Sequence, residues 1–290
     1  MNASLDNRQR AMLAEMGVRV WSPQALVPQP APSDMETAVT RSDAPPAFMR
    51  ATTTERAAPS IPRVTPPPVV TALPTAPMAL SPLPEGLARM DWASLQAAAA
   101  NCQACGLCQG RHHSLFASGS AAAGANADWL IVGDAPTDTE DLAGEAFVGE
   151  EGVLLDAMLQ AMGLSRRTTG TAAEQVVITS AVKCHPQDKR NPTAEEIAHC
   201  NAYLQRQIEL VNPKVILALG RFAAQALLQA SLGEAASQPL GKLRGQVHQV
   251  MGRAVVVSYH PAYLLRTPSD KAKAWADLIL AMQQVRPNGA

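Results

Sequence analysis

The stretch from Ala127 to Gly149 constrains the fold of this chain more than any other. Its apolar, β-branched run Trp129–Val132 has the length of a buried strand and stops abruptly at Gly133-Asp134. We predict that the following residues form an irregular loop as far as Phe147. Open α/β sheets bind ligands just past the carboxyl ends of their strands, which is where Asp134 lies. A strand followed by a solvated acidic loop is the alternative interpretation.

The remainder of this region alternates between strand and helix patterns. Predicted strands cover 129–132, 176–179, 215–219, 247–250 and 254–259, and predicted helices cover 92–100, 152–162, 193–211, 222–229 and 270–285. Such alternation predicts an α/β fold with three αβα layers around a central, mostly parallel sheet. Neither a Walker motif nor a dinucleotide GxGxxG follows the first strand, which argues against nucleotide cofactors.

A long Pro-rich region precedes this domain. Fifteen of the 23 prolines lie before residue 90, and residues 22–84 have no sustained helical or strand period. A segment of this kind cannot bury enough apolar surface to offset its chain entropy, so we predict a disordered linker over 22–84. Residues 85–290 are long enough for one well-cored domain.

Residues 1–21 have a pattern of their own. Met12, Leu13 and Met16 fall on one face of a short helix within residues 6–21. An isolated helix of this length is marginal in water, so it is expected either as a docking peptide or as an inert tail. RAMLAEMGVRVW resembles the amino-terminal peptide of the psi subunit of bacterial clamp loaders, which implies a replication-associated partner.

Charge and hydropathy exclude several classes of protein. The net charge of −1 provides no bulk positive field, so any contact with DNA has to rely on local patches. No apolar run reaches the length of a membrane span, and the amino terminus lacks the pattern of a signal peptide. We expect a cytoplasmic, nucleoid-associated protein without membrane contact. Its five cysteines are then expected to be metal ligands or buried thiols.

The cysteines suggest a metal site only when they are taken together. Cys102 and Cys105 form a CxxC half-site, with Cys108 close behind. Cys184 follows a predicted strand. Cys200 lies on the apolar face of the helix that begins at the Thr193–Glu196 capping box, where a buried core thiol is the alternative. Two pairs separated by a whole βαβ unit predict a site that ties the CxxC segment to the domain.

Three predicted strands end in polar or turn-forming residues. These ends are Gly133-Asp134, Ser180-Ala181 and Ser258-Tyr259-His260. Because parallel strands present their carboxyl ends at one edge of a sheet, these segments are expected to converge there. A histidine before proline is otherwise an ordinary loop residue.

These features together resemble the family 4 uracil-DNA glycosylases, the iron–sulfur branch of that superfamily. The resemblance covers residues 101–286 and is carried by motifs in the family's order and spacing: CQACGLC, IVGDAPTDTEDLAGEAFVGEEGVLLDAML, VVITSAVKCHPQDKRNPT, NPKVILALGRFAAQALL, GKLRGQ and SYHPAYLLR. It implies a [4Fe-4S] cluster and excision of uracil from single- or double-stranded DNA by base flipping. We expect a monomer.

The resemblance also implies roles for individual residues. The cluster ligands would be Cys102, Cys105, Cys184 and Cys200, with Cys108 as a nearby unused thiol. Phe147 would stack on the flipped base, Asp134 would lie beside the scissile bond where the family usually has Glu, and His260 would support uracil O2. Further expected contacts are the backbone N–H groups near Gly133 and Ala135, the base-reading position Ser180, the phosphate-contacting Lys183, Lys242 and Arg244, and the DNA-entering loop residues Leu264, Leu265 and Arg266.

Besides Asp134, the chain departs from the family pattern at three further positions. Thr137 replaces a usual Gly, His185 a usual Arg, and Ser180 the Asn that faces the pairing edge of uracil. A hydroxyl is shorter than a carboxamide and offers one donor, so Ser180 is expected to read uracil poorly. A weakly active or non-catalytic DNA-binding paralogue therefore stays open. So does an electron-transfer or zinc-stabilised module in which the cysteines are the function.

Overall fold

The computed structural model describes residues 80–122, 124, 126–167 and 171–285. The strands in this part are β1 Trp129–Gly133, β2 Val176–Ser180, β3 Val215–Leu219, β4 Val247–Val250 and β5 Arg253–Ser258. The α-helices are α1 Trp92–Ala100, α2 Asp138–Ala143, α3 Gly149–Met162, α4 Ala194–Val211, α5 Arg221–Leu232, α6 Leu240–Leu243, α7 Pro261–Arg266 and α8 Lys271–Val285. The prediction for residues 1–21 and that for the linker 22–84 concern residues outside these ranges, apart from residues 80–84. Within 80–84, the Ser81 N–H donates to the Ala104 carbonyl at 2.8 Å. None of the helices described here is long and apolar enough to span a membrane.

The five strands form one sheet in the order β2-β1-β3-β5-β4. Strands β2, β1, β3 and β5 are parallel, and β4 pairs antiparallel with β5. Strands β1, β2 and β3 are buried along their whole length, as expected when helices cover both faces of a parallel sheet. The predicted three-layer αβα fold with a mostly parallel sheet is confirmed.

Alternate residues of the strands supply two separate cores. Trp129, Ile131 and Leu217 face the layer formed by α3 and α8. Leu130 and Val132 face the layer formed by α4 and α5. A third, smaller cluster packs α1 against the outer side of α4. This outer contact brings the segment that follows α1, which carries three of the cysteines, onto the domain.

The loop after β1 is more ordered than its sequence predicted. Residues 134–146 were expected to be irregular, but they contain helix α2. That prediction was wrong because Thr137 and Glu140 form a capping box that begins this helix. The Thr137 side chain accepts from the backbone N–H of Glu140, and the Glu140 carboxylate accepts from the backbone N–H of Thr137. Two reciprocal bonds of this kind begin a helix even after a Gly-Asp-Ala-Pro break.

A buried ion pair closes the end of β5. Asp277 on α8 is fully buried and accepts hydrogen bonds from Ser258 Oγ at 2.8 Å and from Arg244 Nε at 3.0 Å and Nη2 at 2.9 Å. Burial raises the pKa of Asp277, and the Ser258 and Arg244 bonds oppose this rise. The arrangement anchors the last residue of β5 two positions before His260.

We expect Asp277→Ala to lower the free energy of unfolding by about 3–5 kcal/mol, because it leaves the Arg244 guanidinium without its buried partner. Glu209→Ala is the control, since Glu209 pairs with Arg206 at the surface at 2.8 Å and such pairs contribute about 0–1 kcal/mol. Denaturant titration of both variants measures the difference. Equal losses would contradict the anchoring role of Asp277.

Candidate active site

The ends of the parallel strands lie at one level. Gly133 pairs in register with Ser180 on one side and with Leu219 on the other, and Leu219 pairs with Ser258. The residues that follow each strand therefore leave the sheet at the same edge. The predicted convergence of Gly133-Asp134, Ser180-Ala181 and the segment before His260 is confirmed.

Phe147 is only 2% exposed and forms a stacked pair with His260 at this edge. Their ring centroids are 5.2 Å apart and their planes are inclined by 27°, a direct contact with no intervening layer. The tip of the Phe147 ring points at Gly133, where an added Cβ would lie 2.7 Å from Phe147 Cζ. Only glycine fits at position 133 with the ring in this place.

The protonation of His260 follows from its surroundings. Its Nδ1 accepts a hydrogen bond from the backbone N–H of Ala262 at 3.3 Å and so caps helix α7. Burial, with the Arg266 guanidinium nearby, lowers the pKa of His260 to about 4. The ring is therefore neutral near pH 7. Glu151 Oε2 also lies 3.8 Å from Nδ1. With Nδ1 accepting from Ala262, we assign the proton of the neutral ring to Nε2, whose N–H is then the donor that the ring can offer.

Asp134 lies at the amino terminus of α5. Its Oδ1 accepts from the backbone N–H groups of Phe222 at 2.7 Å and Ala223 at 2.9 Å. The carboxylate packs on Gly220, where any Cβ would collide with it. Burial raises the pKa of Asp134 to about 6, and the bonds to Ala223, Phe222 and Arg221 limit that rise.

Two charged residues that the sequence reading missed lie against the Phe147 backbone. The carboxylate of Glu140 accepts from the Phe147 N–H, and the guanidinium of Arg166 donates to the Phe147 carbonyl at 2.9 Å. The capping box at Thr137 was the available signal for Glu140. No local pattern identifies Arg166. It follows α3 and donates to the carbonyls of Phe147 and Ala146, which lie 19 and 20 positions earlier in the chain.

Ser180 and His185 are two of the departures from the family pattern, and both hydrogen-bond to backbone carbonyls of the protein. Ser180 Oγ donates to the Val182 carbonyl at 2.8 Å. His185 is buried, with Nδ1 at 2.7 Å from the Pro136 carbonyl and Nε2 at 2.7 Å from Asp138 Oδ1. His185 thereby ties the loop after β2 to the loop after β1. The Ser180 donor is occupied by the protein's own backbone.

Several residues expected to contact DNA have other positions. Lys183 is only 2% exposed and donates to Thr179 Oγ1 at 2.6 Å and to the Ser180 carbonyl at 2.8 Å, so its assignment as a phosphate contact was wrong. Leu264 is a fully buried core residue, which contradicts its expected position in an exposed loop. Arg244 pairs with Asp277. These corrections share one cause, since burial depends on packing that the local sequence does not show.

Other expected DNA contacts do lie at the surface. Lys242 and Arg266 are exposed, and Leu265 is 37% exposed. Leu265 borders a cleft of about 900 Å³ that opens beside Phe147 between α3 and α7. The segment after His260, expected as a loop, is helix α7, and its exposed residues lie at its carboxyl-terminal end.

All five cysteines line a single pocket. Cys102, Cys105 and Cys108 come from the segment after α1, Cys184 from the loop after β2, and Cys200 from α4. Each is a free thiol. The predicted convergence of the two cysteine pairs is confirmed. Within the described ranges, however, no three His, Cys, Asp or Glu side chains are grouped as a set of metal ligands.

The pocket has the chemical character of a thiolate site. The Arg111 guanidinium donates to Cys184 Sγ at 3.0 Å, and the Lys183 side chain lines the same pocket. Burial raises the pKa of Cys105, Cys184 and Cys200 to about 11, so these thiols ionise only beside a compensating cation. Soft sulfur donors with two cationic neighbours fit an anionic iron–sulfur cluster.

Comparison with known proteins identifies the family. The family model described as the uracil DNA glycosylase superfamily matches residues 122–279. A type-4 uracil-DNA glycosylase of Archaeoglobus fulgidus is 40% identical over 52% of this chain and 73% of its own length. Type-4 enzymes of Thermotoga maritima and Pyrobaculum aerophilum are 38% and 35% identical, over 50% and 66% of this chain and 69% and 93% of their own lengths. The chain therefore belongs to the uracil DNA glycosylase superfamily, in its type-4 branch.

Proposed function

We propose that this protein hydrolyses the N-glycosidic bond of uracil in DNA after the nucleotide has been flipped out of the helix. The observation that carries the proposal is the stacked Phe147–His260 pair beside Gly133, at the edge of the sheet where the parallel strands end. Membership of the uracil DNA glycosylase superfamily supports uracil as the substrate. Flipping costs a few kcal/mol, least at mismatches and in single strands. Stacking against Phe147 offsets part of that cost.

In the proposed reaction the bond loosens into a sugar cation and a uracil anion. His260 donates from Nε2–H to the uracil oxygen on which negative charge develops, and the backbone N–H groups near Gly133 and Ala135 add further donors. A neutral, fixed donor of this kind does not have to lose its hydration shell as the charge forms. Asp134 orients the attacking water or offsets the positive charge on the sugar.

The direct test uses single- and double-stranded oligonucleotides with one uracil, followed by alkaline cleavage at the abasic site and gel electrophoresis. We expect cleavage of uracil-containing strands and none of matched thymine strands. His260→Asn should slow the reaction about 10²–10³-fold, the usual loss for one such donor. Tight binding of uracil-containing DNA without any cleavage would show that the protein is a DNA-binding protein and not a glycosylase.

We expect the rate to rise with pH through about 6. Because burial raises the pKa of Asp134 to about 6, the required carboxylate is half-formed near that pH and complete above it. His260, with a pKa of about 4, stays neutral between about pH 5 and pH 8, so its titration does not change the rate in this range. Single-turnover rates across this range provide the measurement.

Asp134→Asn should remove this pH dependence, whereas His260→Asn should lower the rate and keep it. If the rate of Asp134→Asn still rises with pH, the titrating group is a residue other than Asp134.

We also propose that Cys102, Cys105, Cys184 and Cys200 hold a [4Fe-4S] cluster. The support is their convergence in one pocket with Arg111 and Lys183 and the type-4 relatives. When bound, the cluster supplies structure by cross-linking the segment after α1 to the loop after β2 and to α4. The Cys184 loop in turn holds Pro136 and Asp138 through His185, so it supports the strand end that carries Asp134.

Replacing any of these four cysteines by Ala should lose iron and solubility, because each removes one of four ligands. Cys108→Ala is the matched control from the same pocket and should keep both. Iron and zinc analysis, with the visible spectrum of anaerobically purified protein, measures the outcome. Full iron content in Cys200→Ala would refute the ligand set, and zinc in place of iron would favour a zinc-stabilised module.

A second candidate function is that of a weakly active, DNA-binding paralogue. The observation that favours it is the Ser180 hydroxyl, which donates to the Val182 carbonyl and so leaves no side-chain donor for the pairing edge of uracil. Each buried polar group left unpaired costs about 1–3 kcal/mol. Slow uracil excision by the natural protein would follow from this alone.

Ser180→Asn should therefore raise kcat/KM on a single-stranded uracil substrate roughly ten- to a hundredfold, at tenfold for each ~1.4 kcal/mol. Ser180→Asp is the control, since it has nearly the shape of Asn but cannot donate to uracil O4 when ionised. Melting temperatures show whether each variant is folded, because position 180 is buried. A folded Ser180→Asn protein that is no faster would mean that recognition comes from other residues.

A further inference from the structure

The backbone at Phe147 is held in an unusual conformation. Its φ is 55°, in the left-handed region that bulky side chains rarely adopt. A residue stays there only when its surroundings over-determine it, at a cost of about 1–3 kcal/mol. In this protein the conformation sets the direction of the ring that stacks on His260.

The main restraint on the carbonyl side of Phe147 is Arg166. One guanidinium nitrogen, Nη1, donates to the carbonyls of Ala146 at 3.1 Å and Phe147 at 2.9 Å. The Arg166 side chain is only 5% exposed, so water does not compete for these bonds. Glu140 restrains the same residue from the other side through the Phe147 N–H.

Arg166 is itself fixed by Asp156 on α3. Arg166 Nε lies 2.6 Å from Asp156 Oδ1, and Nη2 lies 3.2 Å from Oδ2. This is the fork-to-fork pairing that a guanidinium provides and an ammonium does not. The site is also closely built, since a Cβ on Gly152 would clash with the Phe147 carbonyl and lie 2.8 Å from Arg166 Nη2. The planar group fits into a space that α3 leaves open.

We propose that Arg166, held by Asp156, is a positioning residue that fixes the base-stacking ring of Phe147 and thereby sets the rate of base excision. The inference rests on the function proposed above. Arg166 does not contact the reacting atoms in this scheme and acts through Phe147. A buried ion pair with a purely structural role would affect stability without acting through that ring.

The coupling between the two residues separates these roles. Arg166→Gln should lower kcat/KM on a single-stranded uracil oligonucleotide about ten- to a hundredfold, since small misplacements of a positioning group have effects of this size. In a Phe147→Ala background the ring is gone, and the same change should alter kcat/KM less than about twofold. An equal loss in both backgrounds would overturn the proposal, and so would no loss in the natural background.

Arg206→Gln is the matched control. Arg206 also donates to a backbone carbonyl, that of Met90 at 2.8 Å, and pairs with a carboxylate, that of Glu209 at 2.8 Å, but it lies on α4 away from Phe147. It should change the melting temperature and leave kcat/KM within about twofold of the natural protein. Asp156→Asn is the second variant if Arg166→Gln does not fold, and it should show the same dependence on Phe147.

Binding distinguishes failure of this proposal from failure of the proposed function. The same variants are titrated against an oligonucleotide containing 2′-fluoro-deoxyuridine, which resists hydrolysis, and affinity is measured by fluorescence anisotropy. A natural protein that cleaves uracil DNA while Arg166 shows no coupling to Phe147 refutes the positioning role alone. A natural protein that does not cleave refutes the enzymatic function. The positioning role then holds only if Arg166→Gln weakens binding at least tenfold and loses that effect in Phe147→Ala.

Discussion

The in-register pairing of four parallel strands is the constraint on which the site depends. Gly133, Ser180, Leu219 and Ser258 end their strands at one level. Every segment that carries a candidate site residue therefore leaves the sheet at the same edge. Burial on both faces specifies this register, because a slip of one residue would exchange the two cores.

Buried charges then hold the loops in place beyond this edge. Glu140 and Arg166 bond the backbone of Phe147, Asp277 anchors the end of β5, and Lys183 bonds Thr179 and the Ser180 carbonyl. Each of these groups has a partner, as a charge removed from water requires. The loops of this site are consequently fixed by contacts with the folded domain.

Burial also sets the chemistry of the two candidate catalytic groups. Removing a group from water disfavours its charged form, so burial raises the pKa of the Asp134 carboxyl and lowers that of the His260 imidazole. At neutral pH the pair is then a carboxylate and a neutral imidazole whose proton lies on Nε2. The capping bonds to α5 and α7 hold both groups at the ends of helices. Burial thus keeps the imidazole neutral, whereas the backbone N–H bonds from α5 oppose the effect of burial on Asp134 and keep its carboxyl ionised at pH values above its pKa of about 6.

The sequence by itself determined the αβα class, the five strands, five of the eight α-helices in the described ranges and the list of cysteines, because periodicity, capping residues and spacing are local properties. It did not predict the short helices α2, α6 and α7. Only the tertiary structure decided which side chains are exposed and which are paired inside the protein. Lys183 and Leu264 follow patterns typical of exposed loops but are buried, and Asp134 meets Phe222 across 88 positions of sequence. The left-handed backbone of Phe147 likewise depends on Arg166, which lies 19 positions further along the chain, as well as on Glu140 in the nearby helix α2. Contacts between distant residues set burial and pairing, and no local pattern records them.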